Sequence, residues 1–177
     1  MHLLRIAIDG AQSTGKTTLW SQLQDRYGNQ FSFVPEASRH IAKRFAVNTA
    51  TDWQPLLANK DRLRSFFEQE EEWQVEQEIK VPFIADSSLF LIQAYRITFG
   101  VPTNDSVLST AKYDLVLYCP PVSNFVADGF RFETQRDRVD QAYREITRSY
   151  FRGRLVELPT NGARLEQAVA AIDKQAT

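Results

Sequence analysis

The sequence predicts an α/β fold with a parallel, five-stranded sheet and helices on both faces of that sheet. Two observations predict it. Short apolar runs alternate five times with segments of helical periodicity, and the runs are continuously apolar, as in strands buried on both faces. The chain has 177 residues, of which 43% are hydrophobic and 24% charged. This size and composition are typical of one globular domain, so we expect a single domain over residues 1–177.

The individual elements follow from these patterns and from the residues that interrupt them. Apolar runs predict strands at Leu3–Ile8, Phe31–Val34, Pro82–Ala85, Tyr113–Cys119 and Leu155–Leu158. Helical spacing predicts helices at Gly15–Tyr27, Glu36–Phe45, Lys60–Lys80, Ser87 or Ser88 to Phe99, Arg136–Phe151 and Gly162–Lys174. We expect residues 46–59 to include a loop near Pro55, and residues 122–135 to form a polar loop.

Charge and cysteine content exclude several classes of protein. The net charge is −1, so no overall basic field favours nucleic acid or a membrane as a partner. The single cysteine, Cys119, ends an apolar run and is predicted to be a buried thiol; alone, it forms no intrachain disulfide. No stretch reaches the about 18 apolar residues of a membrane span, and the first residues turn polar too early for a signal peptide. We therefore expect a cytoplasmic protein.

The segment Gly10–Thr17, GAQSTGKT, matches the phosphate-loop pattern GxxxxGK(S/T) and lies between a predicted strand and a predicted helix. Its glycines let backbone N–H groups point at phosphate oxygens, and the helix N-terminus adds partial positive charge. Lys16 is expected to reach the β- and γ-phosphates, and the Thr17 hydroxyl to bind Mg²⁺. The alternative is a glycine turn with an exposed lysine. The motif predicts a three-layer P-loop NTPase fold that binds ATP and Mg²⁺ through Gly10, Ser13, Thr14, Gly15, Lys16, Thr17 and Thr18.

Two further predicted strands end in residues suited to chemistry, at the edge where ligands of such folds bind. Glu36 follows the second strand and is a candidate to bind a substrate hydroxyl or take its proton, with Arg39 beside it to hold an anionic group. The alternative is a helix-capping glutamate with an exposed arginine. Asp86 follows the third strand and is a candidate magnesium ligand or general base, or else a simple helix cap.

Residues 122–138 are predicted to form a lid over the site. The lid contains Asp128, Arg131 and Arg136, with Arg138 beyond them. Guanidinium groups neutralise charge on a phosphoryl group during transfer, and a closed lid excludes water. We expect Arg131 to be catalytic and Arg136 to contact the nucleotide. The alternative is a surface loop that leads into a salt-bridged helix.

An ordered set of segments resembles the AAA-type ATP-binding family that includes the ribosylnicotinamide kinase domain of bacterial NAD-biosynthesis regulators. In chain order, these segments are GAQSTGKTTL, VPEASR, FIADSS, and YDLVLYC with VADGFR. The resemblance spans roughly residues 3–158. It implies a nucleoside or nucleotide kinase fold and phosphoryl transfer from ATP to the 5′-hydroxyl of nicotinamide riboside, giving nicotinamide mononucleotide. It implies catalytic roles for Lys16, Glu36, Asp86 and Arg131, and substrate contacts from Glu36, Arg39 and Asp128.

The regulators in this family also carry a DNA-binding part and an adenylyltransferase domain. Neither is present in these 177 residues, so we expect neither repression nor adenylylation. A second hypothesis remains open, in which the chain is a regulatory ATPase or switch that acts through a partner protein. ATP is favoured over GTP because Asn59–Arg62 is the nearest match to a guanine-specifying NKxD motif, and it has neither the spacing nor a preceding strand.

Overall fold

A computed structural model describes residues 3–122 and 135–176. One sheet contains the strands β1 (Arg5–Asp9), β2 (Ser32–Val34), β3 (Phe83–Asp86), β4 (Leu115–Tyr118) and β5 (Arg154–Glu157). Their order across the sheet is β2-β3-β1-β4-β5, and every pair of neighbours is parallel. The predicted five-stranded parallel sheet is confirmed, with β1 at its centre.

The helices of the described residues are α1 (Lys16–Tyr27), α2 (Ala37–Arg44), α3 (Trp53–Ala58), α4 (Lys60–Gln77), α5 (Leu89–Thr98), α6 (Asp105–Thr110), α7 (Arg136–Tyr150) and α8 (Arg164–Ala176). A short 3₁₀ helix, Ala50–Asp52, precedes α3. None of the helices among residues 3–122 and 135–176 has the length and apolar character needed to cross a membrane.

Side chains of the central strands alternate between two apolar clusters, one on each face of the sheet. Ala7 and Val116 pack with residues of α5 and α7 on one face. Ile6 and Ile8 pack with residues of α1 and α8 on the other. Cys119 belongs to the second cluster, so its predicted burial is confirmed. Both faces are therefore covered by helices, which confirms the predicted layering.

The predicted loop near Pro55 is wrong, because α3 contains that proline. Pro55 is the third residue of α3, where its missing N–H removes no intrahelical hydrogen bond. Leu56 is fully buried in a third apolar cluster, formed by α2, α3, α4 and α5. The helix α6 has no counterpart in the predicted elements. It has six residues and buries only Leu108, so its periodic signal is too short to read from sequence.

The carboxyl group of Asp9, the last residue of β1, joins three elements of the fold. It is fully buried and accepts hydrogen bonds from the Ser88 N–H at 2.7 Å, the Ser88 Oγ at 2.6 Å and the Tyr143 hydroxyl at 2.8 Å. Burial raises the pKa of Asp9, while these hydrogen bonds and the Lys16 ammonium oppose that rise. Ser88 precedes α5 and Tyr143 lies on α7. Both helices are therefore bonded to the end of the central strand.

We expect Tyr143→Phe to lower the free energy of unfolding by about 1–3 kcal/mol, because it leaves a buried carboxyl group with one donor fewer. Urea unfolding monitored by circular dichroism measures this change. The matched control is Tyr150→Phe on the same helix, where the ring is 41% exposed. An equal loss in both variants would contradict a role for the Asp9 contact.

Candidate functional site

The loop between β1 and α1 has a backbone that requires glycine at two positions. Gly10 has a φ of 147° and Gly15 a φ of 83°, and Ser13 also lies in the left-handed region, at 56°. A Cβ atom on Gly10 would lie 2.2 Å from the carbonyl oxygen of Cys119, which follows β4. The loop is thus held closely against the end of the neighbouring strand, and only glycine fits there.

The ammonium group of Lys16 lies inside this loop. Its Nζ donates a hydrogen bond to the Ala11 carbonyl oxygen at 3.1 Å, and the Thr14 hydroxyl donates to the same oxygen at 2.9 Å. The Lys16 residue is only 3% exposed. Because Gly15 is the N-cap of α1, no side chain caps the first amide groups of that helix. Backbone N–H groups and a buried cation therefore meet at one point, which is the chemistry that binds a phosphate group.

Asp86 and Thr17 lie side by side at the carboxyl edge of the sheet. Asp86 ends β3, the strand next to β1, and its Oδ2 accepts a hydrogen bond from the Thr17 hydroxyl at 2.7 Å. The alternative in which Asp86 caps the next helix is wrong. The N-cap of α5 is Ser88, whose Oγ accepts from the Leu91 N–H. Between the two, Ser87 has a φ of 100°, a strained value that lets the chain turn sharply from β3 into α5.

Glu36 follows β2 at the same edge, with Arg39 one turn further along α2. The Glu36 Oε2 accepts a hydrogen bond from the Arg39 Nε at 3.1 Å. Glu36 occupies the N-cap position of α2, yet its side chain makes no capping hydrogen bond. The Glu36 side chain is 12% exposed and that of Arg39 is 47% exposed. The pair therefore borders the site from the side of β2.

The predicted lid is described only at its ends. Arg136 is buried at the start of α7, and its Nη2 donates to the Val122 carbonyl oxygen, so the two ends of the segment are joined. The predicted site residues Asp128 and Arg131 lie outside the described residues, as does the rest of 123–134.

Three residues at the candidate site, Asp9, Glu70 and Arg164, are not among the predicted site residues. The Nη1 of Arg164 donates to the carbonyl oxygen of Thr14 and its Nε to that of Pro159 at 2.9 Å, so the start of α8 is tied to the loop. Glu70, on α4, is buried near Glu36, and both burial and the Glu36 charge raise its pKa well above the usual value. Asp9 was recognisable as a polar residue that ends an apolar strand. The other two carry no local signal, since long-range packing brings them to the site.

The profile of the AAA domain family matches residues 5–164, nearly the whole chain, which confirms the resemblance found in the sequence. No curated protein sequence matches the chain.

Solved structures of P-loop kinases have the same fold. The NadR protein, determined in complex with NR, has 18% identity and a TM-score of 0.72, with 98% of this chain and 51% of that chain covered. The chain therefore spans about half the length of NadR. Deoxyadenosine kinase from M. mycoides has 12% identity and a TM-score of 0.68, with 97% and 100% covered. Thymidylate kinase from Candida albicans has 14% identity and a TM-score of 0.65, with 98% and 93% covered.

We expect Gly10→Ala to lower the free energy of unfolding by at least about 2 kcal/mol, because the new Cβ atom meets both an unfavourable φ and a backbone oxygen. Urea unfolding measures the loss. Gly162→Ala is the matched control, since a Cβ atom there meets nothing within 4 Å, and we expect its effect to stay within about 1 kcal/mol. Similar losses in the two variants would contradict the constraint at Gly10.

Proposed function

We propose that this chain, which belongs to the AAA domain family, is a kinase that transfers the γ-phosphoryl group of ATP to a hydroxyl of a small, nucleoside-like molecule. The observation that carries the proposal is the buried Lys16 ammonium in a glycine-bounded loop, next to the Thr17–Asp86 pair. A cation, backbone donors and a carboxylate at one sheet edge match the parts that phosphoryl transfer requires. The fold shared with several P-loop kinases supports this proposal.

The loop residues hold the donor. Backbone N–H groups of Gly10, Ser13, Thr14 and Gly15 and of the first turn of α1, including Thr18, cradle the phosphates. The Lys16 ammonium gives up its hydrogen bond to the Ala11 oxygen and neutralises charge on the β- and γ-phosphates. Arg136, at the start of α7, and Arg131 add positive charge when the lid closes, and the closed lid limits hydrolysis by water.

The Thr17 hydroxyl and the Asp86 carboxylate fit a magnesium ion. Both are hard oxygen ligands, and they lie within 2.7 Å of each other. No group of three or more His, Cys, Asp and Glu that could hold a metal occurs in the described parts of the chain. A site with only two protein oxygens is typical of magnesium, which keeps several water ligands and binds substrate phosphates. A bound ion would supply positive charge that neutralises the phosphates during transfer.

Glu36 and Arg39 bind and orient the acceptor on the side of β2, and Asp128 adds a further contact with it. Its hydroxyl oxygen attacks the γ-phosphorus in line and forms a new P–O bond, while the bond to the β-γ bridging oxygen breaks. That oxygen leaves with the bonding electrons as part of ADP. A carboxylate takes the hydroxyl proton, and both Glu36 and Asp86 are candidates for this base. The best single candidate for the acceptor is nicotinamide riboside, which the VPEASR and VADGFR segments favour.

The test is ADP release in the presence of ATP and Mg²⁺, with nicotinamide riboside, ribonucleosides, deoxynucleosides and nucleoside monophosphates added one at a time. We expect one class to stimulate ADP release and to yield a phosphorylated product of matching amount by mass spectrometry. Lys16→Ala is the negative control, with turnover reduced at least about 100-fold. If every acceptor leaves slow hydrolysis unchanged, the kinase proposal fails, and the regulatory ATPase hypothesis gains.

We expect Asp86→Asn to reduce kcat by about 100-fold or more, because the amide keeps the shape of the carboxylate but cannot take a proton or provide a negative charge. Affinity for an unreactive ATP analogue, measured by calorimetry, should change less than about tenfold, since the loop is untouched. Asp25→Asn, at an exposed position on α1, is the control. An unchanged kcat in Asp86→Asn would contradict a catalytic role for Asp86 and leave it only the hydrogen bond to Thr17.

A further inference from the structure

Glu70 is a largely buried residue, and its carboxyl oxygens keep contact with solvent. The residue is 5% exposed and makes no hydrogen bond or ion pair with the residues that the structure describes. Its neighbour Glu71 is 2% exposed and is fully paired. The oxygens of Glu71 accept hydrogen bonds from Arg96 at 2.8 Å, Gln93 at 2.6 Å and Asn104 at 2.9 Å. The same helix thus contains one carboxyl group with three protein partners and one that bonds to none of the described residues.

A largely buried carboxyl group loses part of its hydration, and an apolar side chain of the same shape does not have this cost. The contacts of Glu70 with the described residues therefore give no reason for a carboxyl group at position 70. A ligand that bonds to it does give a reason, because the carboxyl oxygens remain open to solvent.

Glu70 faces Glu36 across the contact between α2 and α4. The two carboxyl groups are close enough for the charge of Glu36 to raise the pKa of Glu70. One turn beyond each glutamate, His40 of α2 stacks on Trp73 of α4, with ring centroids 5.0 Å apart and planes at 22°. The stacked rings fix the alignment of the two helices, and so they hold the Glu36–Glu70 pair together.

The wall formed by α4 continues toward the phosphate loop. Trp73 and Tyr95 of α5 pack against the same two apolar clusters. The Tyr95 hydroxyl donates to the Gln12 Oε1 of the loop at 3.2 Å. Glu36 itself follows β2 at the sheet edge where the loop lies. The unpartnered carboxyl group is therefore on the side of the fold where an acceptor would meet the donor.

We propose that Glu70 binds the acceptor, by a hydrogen bond between its carboxyl group and a hydroxyl other than the one that is phosphorylated. This rests on the kinase activity proposed above, and it makes the acceptor a molecule with at least two hydroxyl groups, as a ribosyl group has. Glu36 binds or activates the reacting hydroxyl, and Glu70 fixes the orientation of the rest of the molecule.

The electrostatic surroundings of Glu70 favour a neutral carboxyl group. Burial raises its pKa most, the charges of Glu36 and Glu71 raise it further, and the Arg96 guanidinium on α5 opposes them. A neutral carboxyl group both donates and accepts a hydrogen bond, which suits a hydroxyl. Glutamine has the same shape and also donates and accepts, whereas leucine can do neither.

The experiment compares Glu70→Leu and Glu70→Gln with the wild-type chain. The probes are nicotinamide riboside, adenosine, 2′-deoxyadenosine and 3′-deoxyadenosine. Glu70→Leu should raise the KM of the acceptor at least tenfold and leave the KM of ATP within twofold, and Glu70→Gln should raise the acceptor KM less than threefold. Glu72→Leu, at an exposed position on the same helix, is the control and should change neither KM.

Two further readouts separate binding from a structural role. Without ligand, Glu70→Leu should melt no lower than the wild-type chain, because leucine replaces a largely buried carboxyl group that bonds to none of the described residues. The wild-type chain should also bind one of the two deoxyadenosines more weakly than adenosine, and this difference should vanish in Glu70→Leu.

The outcomes distinguish the two proposals. If the wild-type chain phosphorylates a probe while Glu70→Leu melts lower and keeps its acceptor KM, then Glu70 is structural and the subsite is wrong. If Glu70→Gln raises the acceptor KM as much as Glu70→Leu does, the group recognised is a cation, which overturns the hydroxyl assignment. If the wild-type chain phosphorylates no probe and no other member of the acceptor panel, the kinase proposal fails and this subsite fails with it.

Discussion

A fully buried carboxyl group at the end of the central strand holds together the elements that surround the candidate site. Asp9 directly precedes the phosphate loop, and its oxygens are bonded to the start of α5 and to the middle of α7. A charge or dipole buried in this way is stable only when its partners are present, so their positions are set together. The loop, the turn after β3 and the helix α7 therefore share one anchor.

The turn after β3 shows how this anchor positions the chemistry. Ser88 bonds to Asp9 through both its backbone and its hydroxyl, and it also caps α5. Asp86 is two residues earlier, and the strained backbone of Ser87 connects the two. With Ser88 fixed on β1 and Asp86 fixed in β3, the Asp86 carboxylate has little freedom to leave Thr17. The position of the Asp86 carboxylate beside Thr17 thus depends on the Ser88–Asp9 contact, which involves neither of those two residues.

The sequence predicts those features that depend on local pattern, and it fails where distant residues meet. The loop at Gly10–Thr17 is recognisable because glycine spacing, the lysine and the flanking periodicities all lie within one short segment. Asp86 is recognisable because it ends an apolar run. Tyr143 meets Asp9 across 134 positions, and Arg164 meets Thr14 across 150, so neither contact has a local signature. The helix α3 was missed for another reason, since proline is a helix breaker except in the first turn, where Pro55 stands.

The buried carboxyl groups of Asp9 and Glu70 differ in how many groups of the protein bond to them. On the donor side, Asp9 accepts three hydrogen bonds, and the Lys16 ammonium is held by a loop oxygen. Such a site is preorganised, because little has to move before phosphate oxygens replace the Ala11 carbonyl. On the proposed acceptor side, Glu70 is 5% exposed with no partner among the described residues, while Glu71 beside it has three. Adjacent residues on a helix point about 100° apart, so Glu71 faces α5 and Glu70 faces α2. The packing that gives Glu71 three partners gives Glu70 none among the described residues, and under the proposed function substrate selection would depend on that carboxyl group.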